Sequence, residues 1–182
     1  MSKEKSIIKS DLFRYDGGSN LLKGMRKPGF HYTYYFRKAK KHKKYSLLGI
    51  FYRLILRRLG YKYGFQIPVE TKIGEGFYIG HYGTVVINHN AKIGKHCNIG
   101  HCTTIGQSNR GKKKGCPTIG DKVWIGAGSV IVGNITIGNN VLIAPNSFVN
   151  IDVPDNSLVI GNPAKVIQKD NPTEGYINHI LN

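Results

Sequence analysis

Two histidines of this chain stand at equivalent places in a repeating pattern. His81 and His101 each follow an isoleucine, Ile79 or Ile99, by two residues. Imidazole titrates near neutral pH, and a positioned histidine that transfers a proton typically accelerates a reaction by about 10² to 10⁴. If the two isoleucines hold the same position in successive coils, we expect the imidazoles to stack roughly 5 Å apart. This pair is the first candidate for chemistry.

A metal site is a second possibility. His96 and His101 are five residues apart and could both be ligands, but a catalytic zinc needs three ligands that face one another. His81 lies only 15 residues before His96. Three cysteines in no zinc-finger spacing predict free thiols in a reducing compartment and no disulfide. These cysteines are Cys97, Cys102 and Cys116.

The elements that must position the histidines are repeats of six residues. Aliphatic residues recur every six positions between residues 67 and 149, in three successive registers. They are Ile67, Ile73, Ile79 and Val85, then Ile87, Ile93, Ile99 and Ile105, then Ile119, Ile125, Ile131, Ile137, Ile143 and Val149. A period of six fits neither an α-helix nor a simple alternating strand. It predicts a triangular solenoid of parallel strands in which three hexads close one coil. A β-sandwich with coincidental spacing is the alternative, and regularity of this length argues against it.

The rest of the chain divides around this repeat. Residues 65–168 are predicted to form the β-helix, from which a polar basic loop, residues 107–118, leaves the coil. Residues 1–64 are predicted to be a basic, mainly helical segment that caps the solenoid, and residues 169–182 a C-terminal tail. Residues 1–66 hold 17 Lys and Arg against three acidic residues, a net charge of +14. The basicity of the protein therefore belongs to its N-terminal segment.

One stretch of this segment, residues 45–59, has helical spacing and an apolar side. The side consists of Leu47, Leu48, Phe51, Leu54, Ile55 and Leu59. We expect the helix to cover the open end of the solenoid, as every solenoid requires. Its basic flank, residues 37–44, also allows an interfacial helix in peripheral contact with an anionic membrane. The two interpretations are compatible.

The sequence also bears on where the protein resides and on whether it binds nucleic acid. The first residues lack the apolar core of a signal peptide, and no apolar run approaches membrane-spanning length, so we expect a cytoplasmic protein.

Aromatic residues among the cations of the N-terminal segment could bind nucleic acid, but no recognisable nucleic-acid motif accompanies them. We therefore predict no nucleic-acid partner. The aromatic residues concerned are Phe30, Tyr32, Tyr34, Tyr35 and Phe36.

Residues 65–168 resemble the hexapeptide acyltransferases, and within them the serine acetyltransferase branch with its capsule and exopolysaccharide O-acetyltransferase relatives. The motifs that carry the resemblance are Ile79-Gly-His-Tyr-Gly-Thr-Val-Val-Ile-Asn, Thr104-Ile-Gly-Gln, Trp124-Ile-Gly-Ala-Gly-Ser, Val132-Gly-Asn-Ile and Gly161-Asn-Pro-Ala-Lys-Val-Ile. The resemblance implies a left-handed winding, which spacing cannot supply. It also implies a homotrimer that uses acetyl-CoA as acyl donor between neighbouring subunits, with no metal and no permanently bound cofactor.

The same resemblance assigns roles to residues. It makes His81 the general base that takes a proton from an acceptor hydroxyl as the hydroxyl attacks the thioester, without an acyl-enzyme. For His101 it is the position one coil beyond His81, rather than the resemblance, that predicts a contact with the substrate. The residues expected to bind acetyl-CoA are Gly106, Gln107, Arg110, Gly126, Ala127, Ala144, Pro163 and Lys165.

The acceptor is predicted from departures from the family pattern. Serine acetyltransferases have aspartates at the positions of Gln66 and Gly80 in this chain. Their absence predicts a different acceptor, a sugar hydroxyl of a surface polysaccharide or its precursor, with Gln66 and His101 facing it. A serine O-acetyltransferase of cysteine biosynthesis is the alternative within the family. A zinc protein similar to the γ-class carbonic anhydrases is the alternative from another class.

Overall fold

The computed structural model describes residues 3–181, and its main body is built of very short strands. In chain order the strands are β1 (Phe65–Gln66), β2 (Lys72–Ile73), β3 (Tyr78–Ile79), β4 (Val85–Ile87), β5 (Lys92–Ile93), β6 (Asn98–Ile99), β7 (Thr103–Gly106), β8 (Thr118–Ile119), β9 (Val123–Ile125), β10 (Val130–Val132), β11 (Thr136–Ile137), β12 (Val141–Ile143), β13 (Phe148–Val149), β14 (Ser157–Ile160) and β15 (Lys165–Gln168).

These strands form three sheets that the chain visits in rotation. The first sheet has the order β1-β4-β7-β10-β13, the second β2-β5-β8-β11, and the third β3-β6-β9-β12-β14-β15. Neighbouring strands are parallel, except that β15 turns back antiparallel to β14. This architecture confirms the predicted parallel β-solenoid of hexapeptide repeats and is consistent with the left-handed winding that the resemblance implies.

The six-residue period arises because the same positions of each hexad point into the core. Ile79, Ile105 and Ile131 are fully buried. Glycine follows many of the inward isoleucines, Ile119 among them, because successive coils touch at the corners. A Cβ atom on Gly120 would lie 2.7 Å from the carbonyl oxygen of Gly138 in the next coil, closer than real Cβ contacts allow.

Four helices precede the solenoid. They are α1 (Lys3–Phe13), α2 (Leu21–Met25), α3 (Pro28–Lys41) and α4 (Leu47–Tyr63). Helix α4 begins where the Ser46 hydroxyl accepts a hydrogen bond from the Gly49 N–H, and it ends at Gly64, whose φ of +78° favours glycine. None of the helices within residues 3–181 is long and apolar enough to cross a membrane.

Helices α3 and α4 continue the core of the solenoid. Tyr32 and Phe36 of α3 and Leu56 and Leu59 of α4 are buried in the same apolar cluster as Phe65 of β1. The hydroxyl of Tyr32 donates to the carbonyl oxygen of Ile67, 3.0 Å away. The first coil is therefore covered by helices rather than open to water.

The side of α4 that does this packing differs from the prediction. Leu47 is 89% exposed, Leu54 61% and Phe51 54%, whereas Leu56 and Leu59 are buried. Leu48 is exposed as well, so only Ile55 and Leu59 of the predicted apolar side contribute to the core. Apolar residues occupy both sides of this helix, and the packing of α3 decides which side is buried.

A buried ion pair joins the helices to the first coil. Arg37 Nε lies 2.8 Å from Asp11 Oδ2, and both side chains are almost completely buried. Asp11 also accepts from the Phe77 N–H at 3.0 Å, and Arg37 donates to the carbonyl oxygens of Ile73 and Gly74. Helices α1 and α3 are thus tied to the segment that leads into β3.

Candidate active site

The residues that follow the strands of the third sheet stack at one corner of the solenoid. His81 follows β3, His101 follows β6, Ala127 follows β9 and Pro145 follows β12. The Gly128 N–H donates to the His101 carbonyl oxygen, and the Asn146 N–H donates to that of Ala127, each at 2.9 Å. We call this stack, residues 80–83, 100–102, 126–128, 144–146 and 161–164, the His81 corner.

The coils touch closely along the His81 corner. A Cβ atom on Gly100 would lie 2.6 Å from the Ala127 nitrogen, and one on Gly126 would lie 2.5 Å from the Pro145 nitrogen. Only glycine fits at these two positions. The small residues of the corner therefore serve the fold, and at residues 126–128 and 144–146 they also leave the outer surface without large side chains.

The two histidines face each other at the beginning of this corner. Their ring centroids are 5.8 Å apart with an angle of 85° between the planes, close to the predicted stacking distance. Both side chains are exposed. Within residues 3–181 the His81 ring makes this contact and no hydrogen bond, so its nitrogens are accessible to a ligand. An accessible imidazole can take a proton from a hydroxyl group.

Strand β3, which directly precedes His81, is hydrogen-bonded to the N-terminal segment. The Tyr15 hydroxyl accepts from the Ile79 N–H at 3.0 Å and donates to the Ile79 carbonyl oxygen at 3.2 Å. Burial raises the pKa of Tyr15 well above its ordinary value, so the phenol remains protonated. Gly29 permits the approach of α3, because a Cβ atom there would lie 2.5 Å from the Tyr15 hydroxyl oxygen. Sequence reasoning missed both residues, since no local pattern connects them to β3.

The predicted acetyl-CoA residues fall into two groups, and the first lies along the His81 corner. Gly126, Ala127 and Ala144 occupy the two coils beyond His101. The turn that holds Pro163 continues this stack into the next coil. The Phe148 N–H donates to the Gly161 carbonyl oxygen, and the Ala164 N–H donates to the Phe148 carbonyl oxygen. With coils about 4.8 Å apart, this turn is roughly 19 Å from His81 along the axis. Lys165 follows it at the start of β15.

The second group lies at another corner. Gly106 ends β7, and Gln107 and Arg110 belong to the loop, residues 107–117, that connects the first sheet to the second. Ser108 and Gly115 pair across the base of this loop. The width of the first sheet therefore separates this group from His81 within one chain. The roles of both groups remain predictions.

Gln66 is placed beside the His81 corner but not against the imidazole. It pairs with Val86 in the first sheet and lines a groove with Arg57 and Tyr61 of α4. Among the described residues its side chain makes no hydrogen bond to His81. A direct contact of Gln66 with the substrate remains a prediction.

The structure gives no support to a zinc site. His96 lies between β5 and β6, at the corner where the second sheet meets the third, whereas His101 lies at the next corner. The Nδ1 atom of His96 is buried where a Cβ atom on Gly76 would collide with it. Residues 3–181 contain no group of three or more His, Cys, Asp or Glu side chains that could hold a metal ion. All three cysteines are free.

The aromatic residues of α3 are not arranged to bind nucleic acid. Phe30, Tyr32 and Phe36 are at most 2% exposed and form part of the apolar core. Stacking on bases requires exposed rings. Only Tyr34 and Tyr35 are partly accessible, and they pack against each other with ring centroids 5.3 Å apart.

The C-terminal residues form a polar cavity beside β3. Tyr176 packs on Trp124 with ring centroids 4.9 Å apart, and Arg14 donates to the Asn178 carbonyl oxygen at 2.9 Å. The cavity has a volume of about 210 Å³. It is lined by Arg14, Asp16, Tyr78, Asn98, Tyr176, Asn178 and His179. Tyr78 belongs to the strand that leads to His81, so this cavity adjoins the candidate site. Sequence reasoning treated residues 169–182 only as a tail and missed it.

Comparison with known proteins gives a consistent set of relatives. A family model described as bacterial transferase hexapeptide (six repeats) matches residues 70–107 and 116–150. The serine acetyltransferase of Helicobacter pylori is 39% identical over 107 residues, which are 59% of this chain and 63% of that protein. The chain thus spans less than two thirds of the length of that curated relative.

Solved structures extend the similarity to most of the chain. The soybean serine acetyltransferase apoenzyme is 30% identical with a TM-score of 0.76, covering 90% of this chain and 69% of that chain. The serine acetyltransferase of Brucella abortus in complex with coenzyme A is 27% identical with a TM-score of 0.73, covering 92% of this chain and 67% of that chain.

Proposed function

The chain belongs to the hexapeptide-repeat acyltransferase family, and from this premise we propose that it transfers an acetyl group from acetyl-CoA to a hydroxyl group. The observation that carries the proposal is the exposed His81 imidazole at the beginning of a corner lined by small residues. The Brucella abortus relative solved with coenzyme A supports the choice of donor. Acetyl-CoA is a substrate here, and the proposal needs no metal or permanently bound cofactor.

The proposed reaction is a single direct transfer. The imidazole of His81 removes the proton from the acceptor hydroxyl while its oxygen attacks the thioester carbonyl carbon. The carbon–sulfur bond then breaks, and the sulfur of CoA leaves with the proton that the imidazolium returns. The product is an O-acetyl ester. His101, whose ring centroid lies 5.8 Å from that of His81, would contact the acceptor.

The donor would lie along the His81 corner. Small side chains at Gly126, Ala127 and Ala144 let an extended pantetheine chain approach the backbone. Lys165, beyond the turn at Pro163, would meet a phosphate of the nucleotide end. The reacting thioester would then lie near His81, with the rest of the donor directed along the solenoid axis.

We further propose that the active unit is a homotrimer. Gly106, Gln107 and Arg110 lie at a different corner from His81, so they can reach the same donor only across a subunit boundary. Three-fold packing of solenoids brings one corner of a subunit against another corner of its neighbour. A mass of one chain in sedimentation analysis would contradict both the trimer and the shared donor site.

The comparisons favour L-serine as acceptor over the predicted polysaccharide. Both the curated relative and the solved relatives described above are serine acetyltransferases. The alternative within the family is therefore better supported than our main prediction, and L-serine is the first acceptor to test. None of the relatives described above is named for a saccharide acceptor.

A sugar hydroxyl remains the second candidate because of one specific observation. Gln66 and Gly80 provide no carboxylate at the two positions where serine acetyltransferases have aspartate. In that family the aspartate at the position of Gln66 orients the catalytic histidine and the one at the position of Gly80 contacts the serine substrate, so an amino acid acceptor would lack that contact. A saccharide has no such requirement.

Acetyl-CoA-dependent thiol release tests the proposal directly. The acceptors would be L-serine, simple sugars, sialic acid and de-O-acetylated polysaccharides. Loss of general-base catalysis in His81→Ala should lower turnover by about 10² to 10⁴. His42→Ala, the same change at the end of α3, is the matched control. Full turnover by His81→Ala would refute the mechanism.

A gain-of-function variant separates the two acceptors. Gln66→Asp with Gly80→Asp restores the family's carboxylates, and a Cβ atom at Gly80 would lie 3.2 Å from the Tyr78 ring, a side chain that can shift slightly. If a saccharide is the natural acceptor, this double variant should increase serine turnover from a low level. Efficient serine turnover by the unmodified chain would instead eliminate the saccharide candidate.

A further inference from the structure

Helix α4 presents a row of large apolar side chains to solvent. Leu47 is 89% exposed, Tyr61 77%, Leu54 61%, Phe51 54% and Ile50 44%. Their positions are separated by three, four, seven and fourteen residues from Leu47, so they lie on one side of the helix. We call these five residues the outer face of α4. A contiguous apolar surface of this kind normally marks an interaction site.

The charge around the outer face is positive throughout. Residues 17–69 contain 13 Lys and Arg and no Asp or Glu. Arg57, Arg58 and Lys62 lie on the exposed side of α4 itself, and Lys43 and Lys44 precede the helix, all with exposed side chains. An apolar row bordered by cations, without acidic residues, matches a partner that is apolar inside and anionic at its surface.

We propose that the outer face of α4 docks on an anionic lipid surface. In an interfacial helix, apolar side chains enter the boundary between headgroups and acyl chains while Lys and Arg contact the lipid phosphates. Leu47, Phe51 and Leu54 supply the apolar contacts. Arg57, Arg58 and Lys62 reach the headgroups through flexible stems.

Other occupants fit the surface less well. Two copies of the outer face in contact would bring the same cations together, and like charges across an interface are unfavourable. Nucleic acid would satisfy the charge but would leave Leu47 and Leu54 against a polar backbone. An anionic lipid surface matches both the apolar side chains and the cations around them.

The docking would orient the solenoid. Helix α4 runs directly through Gly64 into β1 of the first coil, and the first coil also carries His81. The membrane would therefore lie at the end of the solenoid where the candidate site begins. This consequence rests on the proposed function, whereas lipid binding by α4 does not.

Vesicle co-sedimentation of the full chain tests the docking. The probes are phosphatidylcholine vesicles and vesicles in which phosphatidylserine replaces part of the phosphatidylcholine. We expect binding to the anionic vesicles that weakens as salt is added. Each basic residue at such a surface changes the affinity about fivefold, so Lys43→Ser with Lys44→Ser should lower it about thirtyfold.

A second pair of variants tests the apolar contacts. Leu47→Ser with Leu54→Ser should lower vesicle affinity at least about tenfold, since two exposed side chains lose their burial in lipid. Ile160→Ser with Ile167→Ser is the matched control, because these isoleucines are also exposed but lie at the other end of the solenoid. The control should bind like the unmodified chain.

Three outcomes would overturn the proposal. They are equal binding to neutral and anionic vesicles, equal loss in the control pair, and a lower sedimentation mass for Leu47→Ser with Leu54→Ser, which would make the face a contact between subunits. Thiol release from acetyl-CoA, measured with the best acceptor on the two variants of α4 and its basic flank, should not change. Vesicle binding without any acetyl transfer would refute the proposed function alone.

Discussion

Replacing Asp11 with asparagine should destabilise the protein strongly, although the change preserves shape and lies in the N-terminal helix rather than in the solenoid. Asp11 is 1% exposed and faces the equally buried guanidinium of Arg37. Asparagine can still accept the hydrogen bond from the Phe77 N–H, but it removes the negative charge. Arg37 would then be a buried cation without a counter-ion.

The size of the expected loss of stability depends on which hydrogen-bond partners Arg37 retains. Breaking a buried ion pair by removing one partner typically costs 3 to 5 kcal/mol, roughly. Arg37 keeps its hydrogen bonds to the carbonyl oxygens of Ile73 and Gly74, which places the expected cost at the lower end, about 3 kcal/mol. For a chain of this length each kcal/mol lowers Tm by roughly 2 to 4 °C, so we expect a decrease of about 6 to 12 °C.

Thermal unfolding followed by circular dichroism, with urea titration as a second measure, tests this value. Asp16→Asn is the matched control, since Asp16 pairs with Lys27 at 3.3 Å on the surface, where both side chains are about half exposed. Exposed pairs contribute at most about 1 kcal/mol. Equal shifts of Tm in the two variants would refute the reasoning, because burial of the pair would then be irrelevant to its effect.

Three further predictions concern the donor site and the buried side chains. Lys165→Gln should raise the KM for acetyl-CoA about fivefold and leave that for acetyl-pantetheine unchanged, with Lys169→Gln as control; equal effects on both donors would exclude a nucleotide contact. Cys102, exposed beside His101, should react with a thiol reagent and be protected by CoA, whereas burial raises the pKa of Cys97 to about 12 and should keep it inert; labelling followed by mass spectrometry distinguishes them. Burial and the charge of Arg14 lower the pKa of His96, so the unfolded chain should bind a proton that the folded chain does not as pH falls below about 6.5, and stability should decrease there. Urea midpoints for His96→Asn should show a smaller decrease, and an unchanged decrease would contradict this assignment.

The sequence by itself was sufficient for the solenoid and for the stacking of the two histidines. A fixed repeat converts position along the chain into position in space, so the two residues that separate His81 from Ile79 and His101 from Ile99 already place both at one corner. The observed 5.8 Å between the ring centroids agrees with the predicted stacking. The same rule places Gly126, Ala127 and Ala144 along that corner.

Only the tertiary structure decided which surfaces are buried outside the repeat. Helix α4 has apolar residues on both sides, so its sequence could not show that Leu56 and Leu59 pack inward while Leu47 and Leu54 face solvent. The contact of Tyr15 with Ile79 and the docking of Tyr176 on Trp124 join residues far apart in the chain. Such contacts depend on how whole elements pack, and no local periodicity encodes them.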